Sequence, residues 1–418
     1  MIRWIVGSSL KFRFIVVVAG AAMMFFGGQQ LEAMPVDAFP EFAPPRVEIQ
    51  TTCLGLSAAE VEQLVTVPLE QALNGMPGLD LVRSKSVPQL SSIELLFKSG
   101  SDIFRARQLV EERVATVGPT LPTWAAPPFM MPPTSTTSRV MKIGVSSKDL
   151  SVIQLSTIAY WKIRARLLRV PGVANVAIWG ERLQQLHVQV DPSRMQDHGV
   201  SLEQVMETTA DSLDAGLLKF SSGAVIGTGG FLGTPNQSLA IRHVLPIVTP
   251  KDLADVAVKG ASEKVRLGDV ANVVEGHQPL AGDAVVNDGP GLLLIVEKFP
   301  WGNTLDVTHG VQEALDQMRP GLSGIEIDTR IFRAANFIET SIDNLTRALI
   351  IGALLVVLVL GAFLFEWRAA LISVVAIPLS LVAAGLMLYA RGATINVMVL
   401  AGLVIALGVV VDDAIIGV

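Results

Sequence analysis

Four long apolar runs, three of them without a charged side chain, restrict this chain to a narrow set of folds. Residues 14–31 carry no charged side chain over 18 positions, and as a helix they extend about 27 Å, close to the ~30 Å hydrocarbon thickness of a bilayer. A second run covers residues 348–365. A third covers 369–390, after the break Glu366, Trp367 and Arg368, and a fourth opens at Gly392 after Arg391. Lipid offers no water to an unpaired N–H or C=O, so such a segment spans a membrane only as a helix bonded within itself. Half of the residues are hydrophobic and the mean hydropathy is +0.51, an excess that the four runs account for.

The basic residues beside these runs set an expected topology. Arg3, Lys11 and Arg13 precede the first run and Arg368 follows the second, which places both ends inside; only Arg391 argues the other way. A cleaved signal peptide shares the basic start, but its apolar core is about 7–15 residues long and residues 29–35 make a poor cleavage site. The expectation is therefore an uncleaved helix, with residues 1–31 forming an interfacial N-terminal segment and transmembrane helix 1. Residues 32–342 then lie outside, and 343–418 hold transmembrane helices 2, 3 and an incomplete 4.

Asp412 and Asp413 sit inside the fourth run, between apolar residues 403–411 and 414–418. A carboxylate at the centre of a spanning helix costs about 2.5–3.5 kcal/mol on insertion scales, so an ion or proton pathway is the default reading. The alternative is that the run ends near Val411 and the pair sits in headgroup water; the apolar residues that follow argue against it. Adjacent helical residues point about 100° apart, so both carboxylates can face one interior groove. Gly402, Ala406 and Gly408 add a small-residue face that lets another helix approach closely.

The outside segment is too long for a loop and alternates like folded α+β modules. Residues 46–52 alternate as a strand. Ser57 with Glu60 reads as a capping box opening a helix that ends at Asn74 and Gly75. Strands are expected at 91–98 and 140–146, and helices at 102–117 and 150–169. Three helical patterns run into Pro-Gly and then a strand, at Pro77-Gly78, Pro171-Gly172 and Pro320-Gly321. This recurrence predicts two ferredoxin-like, split βαβ units. The first covers 32–135 and includes the Pro-rich stretch 119–133 that leads out of it. The second covers 136–181 and 278–335 and is interrupted by an insertion at 182–277. The fold class is thus a membrane protein with α-helical transmembrane segments and α+β modules outside.

PVDAFPEFAPPRVEIQT (35–51), GLSAAEVEQLVTVPLE (55–70), PGVANVAIWGER (171–182) and GLVIALGVVVDDAI (402–415) resemble, in order and spacing, the resistance-nodulation-division (RND) efflux transporters. The motifs after the first helix resemble the members that export heavy-metal cations such as copper and silver or cobalt, zinc and cadmium. The resemblance implies a homotrimeric, multi-pass inner-membrane pump with twelve helices per protomer. Its periplasmic modules are porter subdomains, the insertion a docking subdomain, and its partners an adaptor protein and an outer-membrane channel. It also implies that Asp412 and Asp413 are a proton relay, facing a lysine on a later helix. Metal exporters commonly carry one aspartate here and multidrug exporters two, so export of amphipathic drugs stands as the alternative. A third reading is a non-transporting, membrane-anchored interaction protein.

Other chemistry is thinly represented. Cys53 is the only cysteine, so no intrachain disulfide forms. His187, His198, His243, His277 and His309 lack zinc-site spacing. Met23-Met24 and Met130-Met131 read as core filler, and the metal site is left unknown. There is no GxxxxGK[ST] loop and no HExxH. The net charge of −6 with dispersed basic residues disfavours nucleic acid. No enzyme and no cofactor is expected; an ion gradient supplies the energy.

Overall fold

The computed structural model describes residues 11–32, 34–53, 55–122, 125–214, 218–221, 224–226, 231–240, 247–261, 265–278, 280, 282–363, 367–403 and 405–406. The expected interfacial segment before residue 11 lies outside this set. Helix α1, Arg13–Glu32, takes up the first apolar run. Its Arg13–Leu31 stretch is the one candidate among the described residues that is long and apolar enough to cross a membrane.

The first α/β unit begins at β1, Arg46–Thr52, whose inward residues Val47 and Ile49 alternate with partly exposed ones. Ser57 then caps α2 (58–73): its hydroxyl accepts the Glu60 N–H, and the Glu60 carboxylate accepts the Ser57 N–H at 2.8 Å. The helix widens into a π turn at Glu62–Thr66, just ahead of Pro68. A proline there cannot donate to the Leu64 carbonyl and crowds it, and the wider turn relieves both. Strands β2 (Leu79–Val87) and β3 (Leu90–Phe97), helix α3 (Ile103–Val117) and strand β4 (Phe129–Met130) follow. Asp102 caps α3 through the N–H groups of Phe104 and Arg105. The sheet runs β2-β3-β1-β4 and pairs antiparallel, with Ile49 opposite Ile93 and Val47 opposite Leu95. A third strand lying between the first and second is what a split βαβ connection produces. Cys53 belongs to this core, packed with Val61, Val65, Leu69 and Phe97.

The pattern then repeats. β5 (Arg139–Ser147) leads to α4 (152–167), which opens on a Ser151/Gln154 capping box and has its own π turn at Ala159–Arg164. β6 (Val173–Trp179) follows. The chain next forms β7 (Gln184–Val190), α5 (Leu202–Asp214), two short strand pairs, and β8 (Ala271–His277). It returns as β9 (Leu292–Lys298), α6 (Thr304–Met318) and β10 (Ile325–Arg333). The second sheet runs β10-β5-β9-β6, the same order as the first when its strands are counted 4-1-3-2. By contacts, residues 147–159 and 180–292 form one compact unit and the rest another. Within the 180–292 segment β7 and β8 pair antiparallel over a core of Val200, Val205, Leu253, Val265, Leu267 and Val270.

Gly78 and Gly172 of the first two Pro-Gly turns have φ of +77° and +87°, a conformation that a side chain disfavours. The third turn differs. Arg319–Gly321 closes as a 3₁₀ turn and the left-handed position falls to Gly324 instead. Beyond β10, helices α7 (Ala335–Phe363) and α8 (Trp367–Ala390) carry the second and third apolar runs. The fourth run is helical from residue 397 to 403 and at 405–406.

Candidate functional site

Asp412, Asp413 and Gly408 lie outside the described residues. Gly402 and Ala406 lie on the exposed surface of the helix that opens at 397, and a methyl placed on Gly402 meets no atom within 4 Å. Among the described residues, α1 and α8 approach closely. A methyl on Gly27 of α1 falls 2.5 Å from Val382 of α8, and one on Gly385 of α8 falls 2.7 Å from Leu31 of α1. Two glycines on facing helices thus permit a contact that alanine blocks, the small-residue logic of membrane helix packing. Gln30 donates to the Tyr389 hydroxyl at 2.6 Å near the same end.

What the structure does assemble is a buried polar junction where α1, the α8–397 loop and the second sheet meet. Past α1 the chain buries Met34 and Asp37, which are 1% and 4% exposed. Its backbone pairs in parallel with the loop after α8: Ile395 donates to the Pro35 carbonyl at 3.0 Å, and Asp37 donates to the Ile395 carbonyl at 2.8 Å. The next residue, Asn396, is 3% exposed and caps the following helix, its side-chain oxygen accepting the Val399 N–H at 3.0 Å. A side chain that satisfies a first-turn N–H fixes where a helix starts.

The other face of Asp37 meets the second sheet. Lys298, the last residue of β9, places its Nζ 2.7 Å from Asp37 Oδ2, with 0% and 6% of the two side chains exposed. The same ammonium donates to the carbonyls of Phe299 and Pro300, each at 3.4 Å. Asp37 Oδ1 accepts the Thr304 hydroxyl at 2.8 Å and the Ala38 N–H at 2.9 Å, while the Thr304 N–H donates to the Val36 carbonyl. Each charge is therefore matched by hydrogen bonds as well as by its opposite, which a buried ion pair requires. The loop between Lys298 and Thr304 is braced by Phe299 stacked on Trp301, centroids 5.1 Å apart.

Sequence reasoning passed over Lys298. Its signal was a lysine closing a strand that opens as five apolar residues, LLLIVEK, one step before a Phe-Pro-Trp-Gly turn. Asp37 lay inside a quoted motif without a role. A second ionic contact ties the end of β10, and with it α6, to the start of α7: Arg333 holds Glu339 in two bonds of 2.8 and 2.9 Å, and His309 Nε2 of α6 lies 3.4 Å from the same carboxylate. The Arg333 hydrogen bonds hold the Glu339 carboxyl below its ordinary range. Among the described residues no three His, Cys, Asp or Glu side chains are grouped to hold a metal ion.

The sequence signature of the AcrB/AcrD/AcrF family matches residues 5–418. Protein HelA of Legionella pneumophila is 30% identical across the whole chain. The cation efflux system protein CusA of Escherichia coli K12 is 28% identical over the same span. The chain spans about two-fifths of these relatives, 39% of each. A heavy metal efflux pump solved by X-ray crystallography superposes with a TM-score of 0.82 at 28% identity, covering 98% of this chain and 40% of that one. The chain belongs to the AcrB/AcrD/AcrF family of RND efflux transporters, and its fold is that of the heavy-metal efflux pumps.

Proposed function

We propose that this chain is part of a proton-driven antiporter exporting heavy-metal cations across the inner membrane of a bacterium with an outer envelope. The observation that carries the reading is similarity to heavy-metal efflux pumps along the whole chain, in sequence and in fold together. On this reading α1, α7, α8 and the helix opening at 397 are four spans of a multi-pass protein. The two four-stranded units serve as porter subdomains and the inserted segment as the docking subdomain. Homotrimer formation, the adaptor and the outer-membrane channel belong to the same proposal. Asp412 and Asp413 take up a proton from the periplasm and release it inside, and the junction at Asp37 sits at the periplasmic end of their helix.

The test uses the whole pump that carries this chain, in a host stripped of its own efflux systems. Silver, copper, zinc, cobalt and cadmium salts are scored beside cationic dyes. Protection against at least one metal is expected, with loss of that protection in Asp412→Asn or Asp413→Asn at equal membrane abundance. Protection against dyes alone replaces the metal reading by the multidrug one, for which the paired aspartates are the supporting feature. Unchanged export by both relay variants in proton-loaded vesicles removes the relay assignment.

A further inference from the structure

We propose that the buried Asp37–Lys298 pair is the mechanical joint that carries movement of the relay helix into the second four-stranded unit. This deepens the export reading above and rests on it. The first argument is energetic. Two apolar side chains fill such a space without the desolvation that a buried ion pair incurs, and replacing such pairs by apolar residues is often neutral or stabilising. The packing of a strand end alone does not call for a lysine that is 0% exposed.

The second argument is connectivity. Residues 35–38 are bonded on one side to the loop that starts the relay helix, through Ile395 in both directions. On the other side they are bonded to β9 through Lys298 and to α6 through Thr304, whose N–H and hydroxyl both reach this segment. Lys298 in turn donates its own N–H to the Ser138 carbonyl at the head of β5. The route from the helix cap at Asn396 to the centre of the second sheet therefore runs through two residues, Ile395 and Asp37, with no flexible segment between them.

The third argument is what holds the joint still. The segment continues directly from α1, and α1 is seated on α8 through Gly27 and Gly385. A shift of the helix opening at 397 relative to that seated pair has to be taken up at Ile395 and Asp37. Asp412 stands well beyond Asn396 in the sequence, so protonation there reaches Asp37 only as movement of the chain between them. An ion pair suits the task because it is directional: it pulls Lys298 and Thr304 with Asp37 instead of letting them slide, as an apolar contact does.

The joint is tested in the full-length pump with Cys53→Ser and spin labels at Glu112→Cys on α3 and Asp316→Cys on α6, both exposed. In the otherwise unaltered pump Asp412→Asn is expected to shift the distribution of distances between the labels. With Asp37→Asn or Lys298→Met added, that shift is expected to shrink at least tenfold per folded molecule, and Lys298→Arg is expected to restore part of it. A purely structural role lowers the yield of folded protein but leaves the response of each molecule intact. A response of full size in Asp37→Asn therefore overturns the joint while the relay survives. No response to Asp412→Asn with the junction intact overturns the relay reading and the joint together.

Discussion

A lysine side chain shut off from solvent must find its hydrogen-bond acceptors inside the protein, and Lys298 finds three: Asp37, Phe299 and Pro300. Removing one partner strands the other. Lys298→Met leaves the Asp37 carboxylate buried without its cation, a loss of about 3–5 kcal/mol for pairs of this kind. Asp37→Asn combined with Lys298→Met removes both charges and is expected to recover most of that loss. Thermal unfolding of the purified pump checks the order, and a double variant less stable than either single one contradicts it. Cys53 gives a second prediction at this scale. It is fully buried in the first core, and burial raises its thiol above the ordinary cysteine range. Maleimide labelling is therefore expected to be at least tenfold slower in the folded protein than in denaturant; rapid labelling of the native chain means that this core opens. The position was legible in the sequence as a lone cysteine at the end of an alternating strand, a residue type that reads as a small buried hydrophobe, and the closing of the sheet on α2 is what buries it.

Among the elements, the readable ones announce themselves by local chemistry. Ser57 with Glu60 and the Pro-Gly pairs at helix ends specify structure within a few residues, and the helix after Ser57 and the turns at Gly78 and Gly172 stand where those signals put them, the third turn passing its left-handed position to Gly324. What was not legible are the long-range contacts. Nothing near Gly27 says that Val382 will be its neighbour, and nothing near Lys298 says that Asp37 lies across from it. Asp412 and Asp413 themselves fall outside the described residues. Two predictions belong here. Gly385→Leu places a branched side chain where even a methyl sits 2.7 Å from Leu31, so it is expected to separate α1 from α8. Cross-linking of Gln30→Cys to Tyr389→Cys by a short bifunctional maleimide, which spans the reach of the two native side chains, should then fail in the Gly385→Leu variant and succeed without it. The Arg333–Glu339 clamp between β10 and α7 has a pH sense. Because Glu339 is held below its ordinary value of about 4.3, the clamp contributes fully above that pH and fades as pH falls through the lower folded value. It is expected to be constant between pH 5 and 8. A loosening of β10 from α7 within that span, seen by hydrogen exchange, contradicts the assignment.

At the scale of the whole molecule the chain joins two repeats of one α/β plan to a set of apolar helices, and the second repeat carries a long excursion between neighbouring strands. Trp179 at the end of β6 pairs with Leu293 in β9, antiparallel. The excursion therefore leaves and returns at adjacent points of one sheet, where a two-residue turn spans the gap. Strand order is set by β5, β6, β9 and β10 themselves, so the second sheet does not need the excursion for its topology. The excursion has its own core, built from Val200, Leu253, Leu267 and their neighbours. Replacing residues 180–292 by Asn-Gly in the full-length pump is accordingly expected to leave both four-stranded sheets folded and the protein in the membrane. Protease-resistant fragments covering residues 46–130 and the rejoined second unit are the signature. Export is expected to be lost even so, because the deleted part is the one assigned to docking with neighbouring subunits and the outer-membrane channel. If the shortened pump fails to accumulate at all, the excursion is part of the folding unit of the second sheet. If it still exports at the full rate, the docking assignment of that segment is wrong.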